Sequence, residues 1–397
     1  MKYTFVLYIA AFVAAQENVP LTFCIDEAVV IALNNHPVAS KIDFAERKDV
    51  LLQQQSLELE PVQLRYWRSG ASAGTHTLFS ATQNFGSILE HVRRAQHHRA
   101  AISAQQAART LTVEELAWKV KAAYTDVVYY NQRLEIMLEH APLFEALIYV
   151  AEARMTADSI SDLERVSTGA RYAAFISRMY IAQEEAKRAE LRLRQIMNLP
   201  DEEIKISQTT LGLYQIHPDK PVNERFNPVK HNAFDDAMLS EAQAAVNLEK
   251  SRMYPAIHAG YVYQNIEGAG RFQGWMAGMS LPVWVQPQRA RIKQAQTDLK
   301  IKEMETKYRQ FSDNVHVETL KSLLNDYFLL ISFSRENLLV EAGLIVDEVE
   351  KNFLAGRITD FAGAFTKLGD AVNSHLNYLE YMSLYNQTAL ELEFFTQ

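Results

Sequence analysis

From Val113 to Met155 the apolar positions recur at alternating spacings of three and four without a slip: Val113, Leu116, Val120, Ala123, Val127, Tyr130, Leu134, Met137, Ala141, Phe144, Ile148, Ala151 and Met155. That is a heptad seam. It predicts one helix over Ser87 to Thr156, on the order of 100 Å long at 1.5 Å per residue, with a local kink expected at Pro142. A second long helix is expected from about Gln288 to Leu354. Its apolar runs Met304, Tyr308, Phe311, Val315 and Leu320, Leu324, Tyr327, Ile331 are separated by one register slip. Phe361, Phe365, Leu368, Val372, Leu379, Met382 and Ala389 mark the inner face of a last helix.

Elsewhere the period is two. Val62, Leu64 and Tyr66 alternate with Gln63, Arg65 and Trp67, and after a Gly/Ser-rich turn Phe79, Ala81 and Phe85 share one side of a weaker strand. Further on, Ile257, Ala259, Tyr261 and Tyr263 alternate with His258, Gly260, Val262 and Gln264. Trp275, Ala277, Met279, Leu281 and Val283 then take one face of a fourth strand. Two hairpins with strands of about ten residues are therefore expected, at about 58–85 and 255–284. Before the first hairpin, Asp26 is read as the cap of a short helix that stops at Pro37, and a second helix is read from Val38 to Leu57.

A short stretch also occurs twice. Ala157, Ile160, Ser161 and Asp162 match Ala355, Ile358, Thr359 and Asp360 at one constant offset, about half the chain. A small-residue or Gly turn followed by Ser/Thr and Asp ends one helix and caps the next, so each copy reads as the tip of a helical hairpin, at about 156–162 and 354–360. The organisation expected is an export signal over 1–15, a first repeat over 16–200, an irregular connector over 201–230 with Pro218, Pro221 and Pro228, and a second repeat over 231–397.

Composition narrows the function. Of 397 residues 48% are hydrophobic and 22% charged, and the net charge of -8 carries no basic patch, which excludes a disordered chain and a nucleic-acid binder. Residues 1–15 carry one Lys, an apolar core and a small-residue end, the form of a secretory signal. No later run reaches the roughly 20 apolar residues of a membrane helix, so a membrane role must fall to strands. The single cysteine, Cys24, cannot form an internal disulfide and reads as a small, buried apolar residue. No nucleophile motif, phosphate loop or HExxH is present. His97 and His98 are adjacent on a helix and diverge by about 100°. The reading assigns no catalytic residue, no cofactor and no metal ligand.

Four strands cannot close a barrel, and an apolar seam of this length exceeds what one compact domain buries. Both point to an oligomeric tube, a β-barrel joined to an α-helical cylinder. Leu21-Thr-Phe-Cys-Ile-Asp-Glu-Ala-Val-Val-Ile-Ala-Leu-Asn-Asn-His-Pro37 and Leu281-Pro-Val-Trp-Val-Gln-Pro-Gln-Arg-Ala-Arg-Ile-Lys-Gln-Ala295, with the repeated order of elements, resemble the TolC-like outer-membrane efflux family over essentially the whole mature chain. Pro287-Gln288 stands where that family usually has a Gly. Residues 353–362 with Leu376-Asn-Tyr-Leu-Glu-Tyr381 resemble its heavy-metal branch.

The resemblance implies a homotrimer in the outer membrane of a Gram-negative bacterium. It implies a twelve-stranded barrel in outer-membrane lipid, and tips that meet a periplasmic adaptor (membrane fusion) protein and an inner-membrane RND-type transporter. It also implies passive conduction without catalysis, of heavy-metal cations or alternatively of drugs or secreted polypeptides. A surface coiled-coil scaffold would explain the heptads but not the matched hairpins. At the tips Asp162 and Asp360 are either rings of carboxylates that select cations or helix caps. Asp158 and Arg357 either pair across hairpins or are solvated. Tyr261, Tyr263, Trp275 and Ala277 are placed on the lipid side, and Trp67, Tyr263 and Trp275 are either an aromatic girdle or packing residues.

Overall fold

A computed structural model describes residues 21–54, 59–71, 74–156, 162–199, 204–216 and 230–396. The export signal over 1–15, the first tip at 157–161 and most of the connector lie outside them. The elements run β1 (Leu21–Phe23), α1 (Ile25–Asn35), α2 (Pro37–Gln54), β2 (Gln63–Ala71), β3 (Gly74–Gly86), α3 (Ile88–Thr156), α4 (Asp162–Met197), β4 (Ile204–Ile206), α5 (Lys230–Ser251), β5 (Ala256–Ile266), β6 (Gly270–Ser280), α6 (Val285–Phe333), a π-helical turn (Ser334–Leu338), α7 (Leu339–Leu354) and α8 (Phe361–Thr396). They form two compact units that each draw on both repeats. One takes its residues from 1–39, 113–227 and 316–397, the other from 40–112 and 228–315.

In the first unit the heptad seam is a packing surface. Leu116, Val120, Ala123 and Val127 of α3 are buried with Ala28 and Ala32 of α1, Leu193 and Met197 of α4 and Leu379 of α8. Further along the same helices, Met137, Ala141, Phe144, Leu147 and Ala151 pack on Phe175, Phe361, Phe365, Leu368 and Val372. The Phe144 and Phe175 rings stack at 4.0 Å and Phe365 tilts against Phe144 at 5.4 Å, arrangements that add to the burial of apolar area. All seven inner-face residues of α8 are buried. Helix α3 runs through Pro142 without a break.

Several elements differ from the expectation, each for a local reason. Cys24, not Asp26, is the N-cap of α1: its backbone N–H donates to Glu27 Oε2 at 2.8 Å, and Asp26 sits in the first turn. The connector is not wholly irregular, because Ile204–Ile206 pairs in parallel with Leu21–Phe23. Side-chain amides hold the rest of its described part: Gln132 Oε1 accepts from Leu211 N–H (2.8 Å), and Asn386 accepts from Tyr214 N–H and donates to Gly212 O. Tyr214, Lys121 and Glu393 close a three-membered polar ring of 2.7–3.0 Å bonds. Burial would lower the Lys121 pKa, but its bonds to Tyr214 and Glu393 outweigh that and raise it. The long second-half helix carries a π-helical turn at Ser334–Leu338, which its apolar spacing does not announce. Met304, Tyr308, Phe311 and Val315 are 50–73% exposed, whereas Val317, Leu320 and Ile331 are buried.

The second unit holds one antiparallel sheet in the order β2-β3-β5-β6. The two hairpins join edge to edge through β3 and β5, with one bulge between Asn84 and Gly86, where Phe85 falls out of alternation. Two buried carboxylates anchor the helices of this unit in parallel fashion. Arg109 of α3 holds Asp49 of α2 at 2.6 Å, and Arg309 of α6 holds Asp235 of α5 at 2.9 Å. Asp49 and Asp235 are 5% and 1% exposed, and removing Arg109 would strand a buried charge at Asp49.

Candidate functional site

The register sorts the sheet into two unlike faces. Leu64, Ala81, Tyr261 and Trp275 lie in one row across the four strands, and Tyr66, Phe79, Tyr263 and Gln273 in the next. Ala277 stands opposite Ala259 two residues along, on the same face. This face is apolar and uncovered: Leu64 and Tyr66 are each 67% exposed and Trp275 88%. Tyr261 meets Trp275 edge-on at 5.3 Å and donates its hydroxyl to Gln273 Oε1 at 2.8 Å. So much aromatic surface left to solvent marks a contact surface.

The opposite face carries Arg65, Ser80, Thr82, Gln264 and His258, with Gly260, Gly274 and Gly278 between them. Gly260 is required by close approach, since a Cβ there would lie 2.8 Å from Ala81 O. Trp67 is on this face, edge-on to His76 at 5.3 Å, and Trp275 is in the middle of β6. Trp67 and Trp275 therefore do not share one aromatic row.

The described part of the tips is built by backbone capping. Helix α7 ends in a left-handed turn at Gly356 (φ 66), with Arg357 N–H bonded to Asn352 O and Gly356 N–H to Phe353 O. Asp360 then starts α8: its Oδ1 accepts from Gly363 N–H at 2.7 Å. A Cβ on Gly363 would collide with that carboxylate. Glu164 of α4 accepts from Phe361 N–H at 2.9 Å, so the first hairpin caps the return helix of the second. Arg154 of α3 completes the link. Its guanidinium donates to Ile358 O (2.6 Å) and Gly356 O (3.0 Å) and lies 5.3 Å over the Phe361 ring.

Arg357 and Asp360 line one groove of about 710 Å³ between α7 and α8, together with Glu348, Asn352 and Lys367. Asp162 is exposed in the first turn of α4, and Asp158 is outside the described residues. Arg154 and Glu164 escaped the sequence reading because their partners are backbone atoms of the other hairpin. Glu164 could have been found as an acid two residues after the repeated Asp. Asp360→Ala is expected to cost about 1 kcal/mol through loss of the cap, and Asp360→Asn or Asp360→Ser a few tenths. Thermal unfolding of the three variants checks the order.

No helix among the described residues is long and apolar enough to cross a membrane. No protein-family profile and no curated protein matches the chain. Solved structures do. The Campylobacter jejuni CmeC outer membrane channel superposes with a TM-score of 0.75 at 10% identity, over 94% of this chain and 85% of that one. CusC does so with 0.73 at 12%, over 95% and 94%. The Neisseria gonorrhoeae MtrE outer membrane channel in its open state gives 0.70 at 13%, over 94% and 88%. The chain has the fold of these channels, a helical part with a portion of β-barrel.

Proposed function

We propose that the chain is one subunit of an outer-membrane channel in a tripartite efflux system, a passive conduit rather than an enzyme. The observation that carries this reading is the sheet. It has an aromatic face left bare, and edges on β2 and β6 with no partner strand among the described residues. In lipid every backbone group must be paired, so β2 of one copy joins β6 of the next, and three copies make twelve strands. Tyr261, Tyr263, Trp275 and Ala277 then face outer-membrane lipid, and the glycine-bearing face lines the lumen. Strands of 9–13 residues are long enough to span it.

The exposed run Met304, Tyr308, Phe311 and Val315 is covered by a neighbouring copy. The tips meet a periplasmic adaptor and, beyond it, an RND-type inner-membrane transporter of a Gram-negative cell. The cargo is heavy-metal cations, a reading supported by the resemblance of residues 353–362 and 376–381 to that branch. Asp162, Asp360, Asp158 and Arg357 form the narrow, cation-favouring end. Because Asn keeps a helix cap and removes the charge, Asp162→Asn with Asp360→Asn separates gate from cap. Single-channel recording in planar bilayers is expected to show lower cation selectivity and weaker block by divalent ions. Unchanged selectivity and block would reduce both residues to caps, and absence of any conductance in the unaltered protein would end the conduit reading.

A further inference from the structure

Two histidines far apart in sequence meet between helices of the first unit. His140 of α3 and His375 of α8 have ring centres 5.8 Å apart at 50°. His140 is 8% exposed, and its Nδ1 lies 2.8 Å from Ile136 O. A carbonyl can only accept, so Nδ1 is the donor, which leaves Nε2 as the ring nitrogen that could coordinate a metal, the arrangement that metal-binding histidines adopt. Burial first, and His140 second, hold the His375 pKa below the usual imidazole range, against the pull of Glu139.

Both histidines line one cleft of about 440 Å³, which also takes in Glu139 of α3, Asp347 of α7 and Tyr378 of α8. No Lys or Arg among the described residues lines it. The two carboxylates of the lining give the cleft a negative potential, and the two imidazoles give it nitrogen donors. Leu339, the first residue after the π-helical turn, closes one side.

We propose that this cleft is a binding site for a borderline divalent cation of the zinc class, held by His140 and His375 and joining α3 to α8 beside the π-helical turn. Rings bound to one zinc at about 2.0–2.1 Å put their centres roughly 5–6 Å apart, which the observed separation meets. Among the described residues no three His, Cys, Asp or Glu side chains are already grouped as a full coordination set. The two imidazoles are therefore the fixed part. Water and a rotamer change of Glu139 or Asp347 complete the shell. Imidazole donors select zinc, nickel or copper over calcium and magnesium, which require oxygen cages. The adjacent pair His97 and His98 is the natural control: its ring centres are also close, 6.0 Å apart at 86°, but the side chains diverge by about 100° on one helix and Arg94 lies beside His98, where His375 has Glu139. The site is independent of the conduit reading, because it needs neither a membrane nor a pump.

The experiment is a calorimetric titration of ZnCl2 into the chelator-stripped, detergent-solubilised full protein, with thermal unfolding of the same samples. One zinc per chain and a raised Tm are expected. The affinity should fall more than about tenfold in His140→Ala and in His375→Gln, and should weaken on going from pH 7 to about pH 5.5 as protons compete for the rings. Circular dichroism shows whether each variant has folded, and His375→Gln, at a partly exposed position, keeps the test open if His140→Ala does not fold. His97→Ala with His98→Ala should bind as the parent does. No zinc uptake by the parent, equal uptake by the double variant His140→Ala/His375→Gln, or calcium binding as tightly as zinc would overturn the proposal.

Discussion

Val120→Asp is expected to lower sharply the amount of folded protein available to assemble, and Val127→Asp to do the same. The two valines are 0% and 3% exposed, enclosed by α1, α4 and α8 residues of the same chain. An aspartate there is set among the apolar side chains of the cluster and must either desolvate its charge or take up a proton, and an uncompensated buried charge costs about 3–5 kcal/mol. A domain is stable by only about 5–15 kcal/mol, so the loss is a large part of the whole. Val120→Ile at the same position should cost less than about 3 kcal/mol. Recovery of folded protein from membranes, with far-UV circular dichroism on what is recovered, checks both variants. Folded Val120→Asp at the parent's yield would mean that the seam is not a core.

Trp275→Lys costs about 2–4 kcal/mol in the membrane, the range for a Lys on the lipid side of a barrel near the bilayer midplane. Trp275 is 88% exposed in the single chain, in the middle of its strand and edge-on to Tyr261. In water such a substitution of an exposed aromatic would be nearly neutral, so a large effect is a signature of lipid. Tyr261→Lys and Ala277→Lys belong to the same face and should behave alike, while His258→Lys and Gln264→Lys, on the face with the glycines, should be milder. Urea-dependent folding into vesicles gives the numbers. Equal costs on the two faces would place the sheet outside lipid.

What was legible in the sequence is what repeats over many residues. Thirteen seam positions from Val113 to Met155 identify α3 because each repetition excludes another period, and the inner face of α8 follows for the same reason. Strands β1 and β4 could not be read, since three residues are too few to show alternation. Leu21–Phe23 also adjoins a helix, and Ile204–Ile206 lies beside a proline-rich segment. The π-helical turn at Ser334–Leu338 leaves no mark in the apolar spacing, whose one register slip, between Val315 and Leu320, falls instead where exposed apolar residues give way to buried ones.

The candidate sites divide in the same way. Asp360 was legible as a cap because capping is local, a carboxylate reaching an N–H three residues on. Arg154 and Glu164 were not, because their partners are the backbone of residues 356–361 in the other hairpin. His140 and His375 were hidden for a related reason: their proximity depends on how α3 packs on α8, whereas His97 and His98 drew notice only by adjacency. The alternation of β5 and β6 gave the faces of Tyr261 and Ala277. It could not show that Trp67 lies on the other face from Trp275, which depends on the register joining the two hairpins.

The claim that separate copies close the sheet is tested most directly by disulfide trapping across its open edges. Within one chain β2 and β6 are separated by β3 and β5, about 14 Å at the usual strand spacing, beyond the roughly 7 Å limit for a disulfide. With Cys24→Ala as background, Tyr66→Cys combined in turn with Gln273→Cys, Trp275→Cys or Ala277→Cys can therefore bond only between chains. Oxidised membranes are predicted to yield, for at least one pair, a ladder on a non-reducing gel that stops at three chains. Monomers from every pair, or a ladder that stops at two or continues past three, would contradict the account.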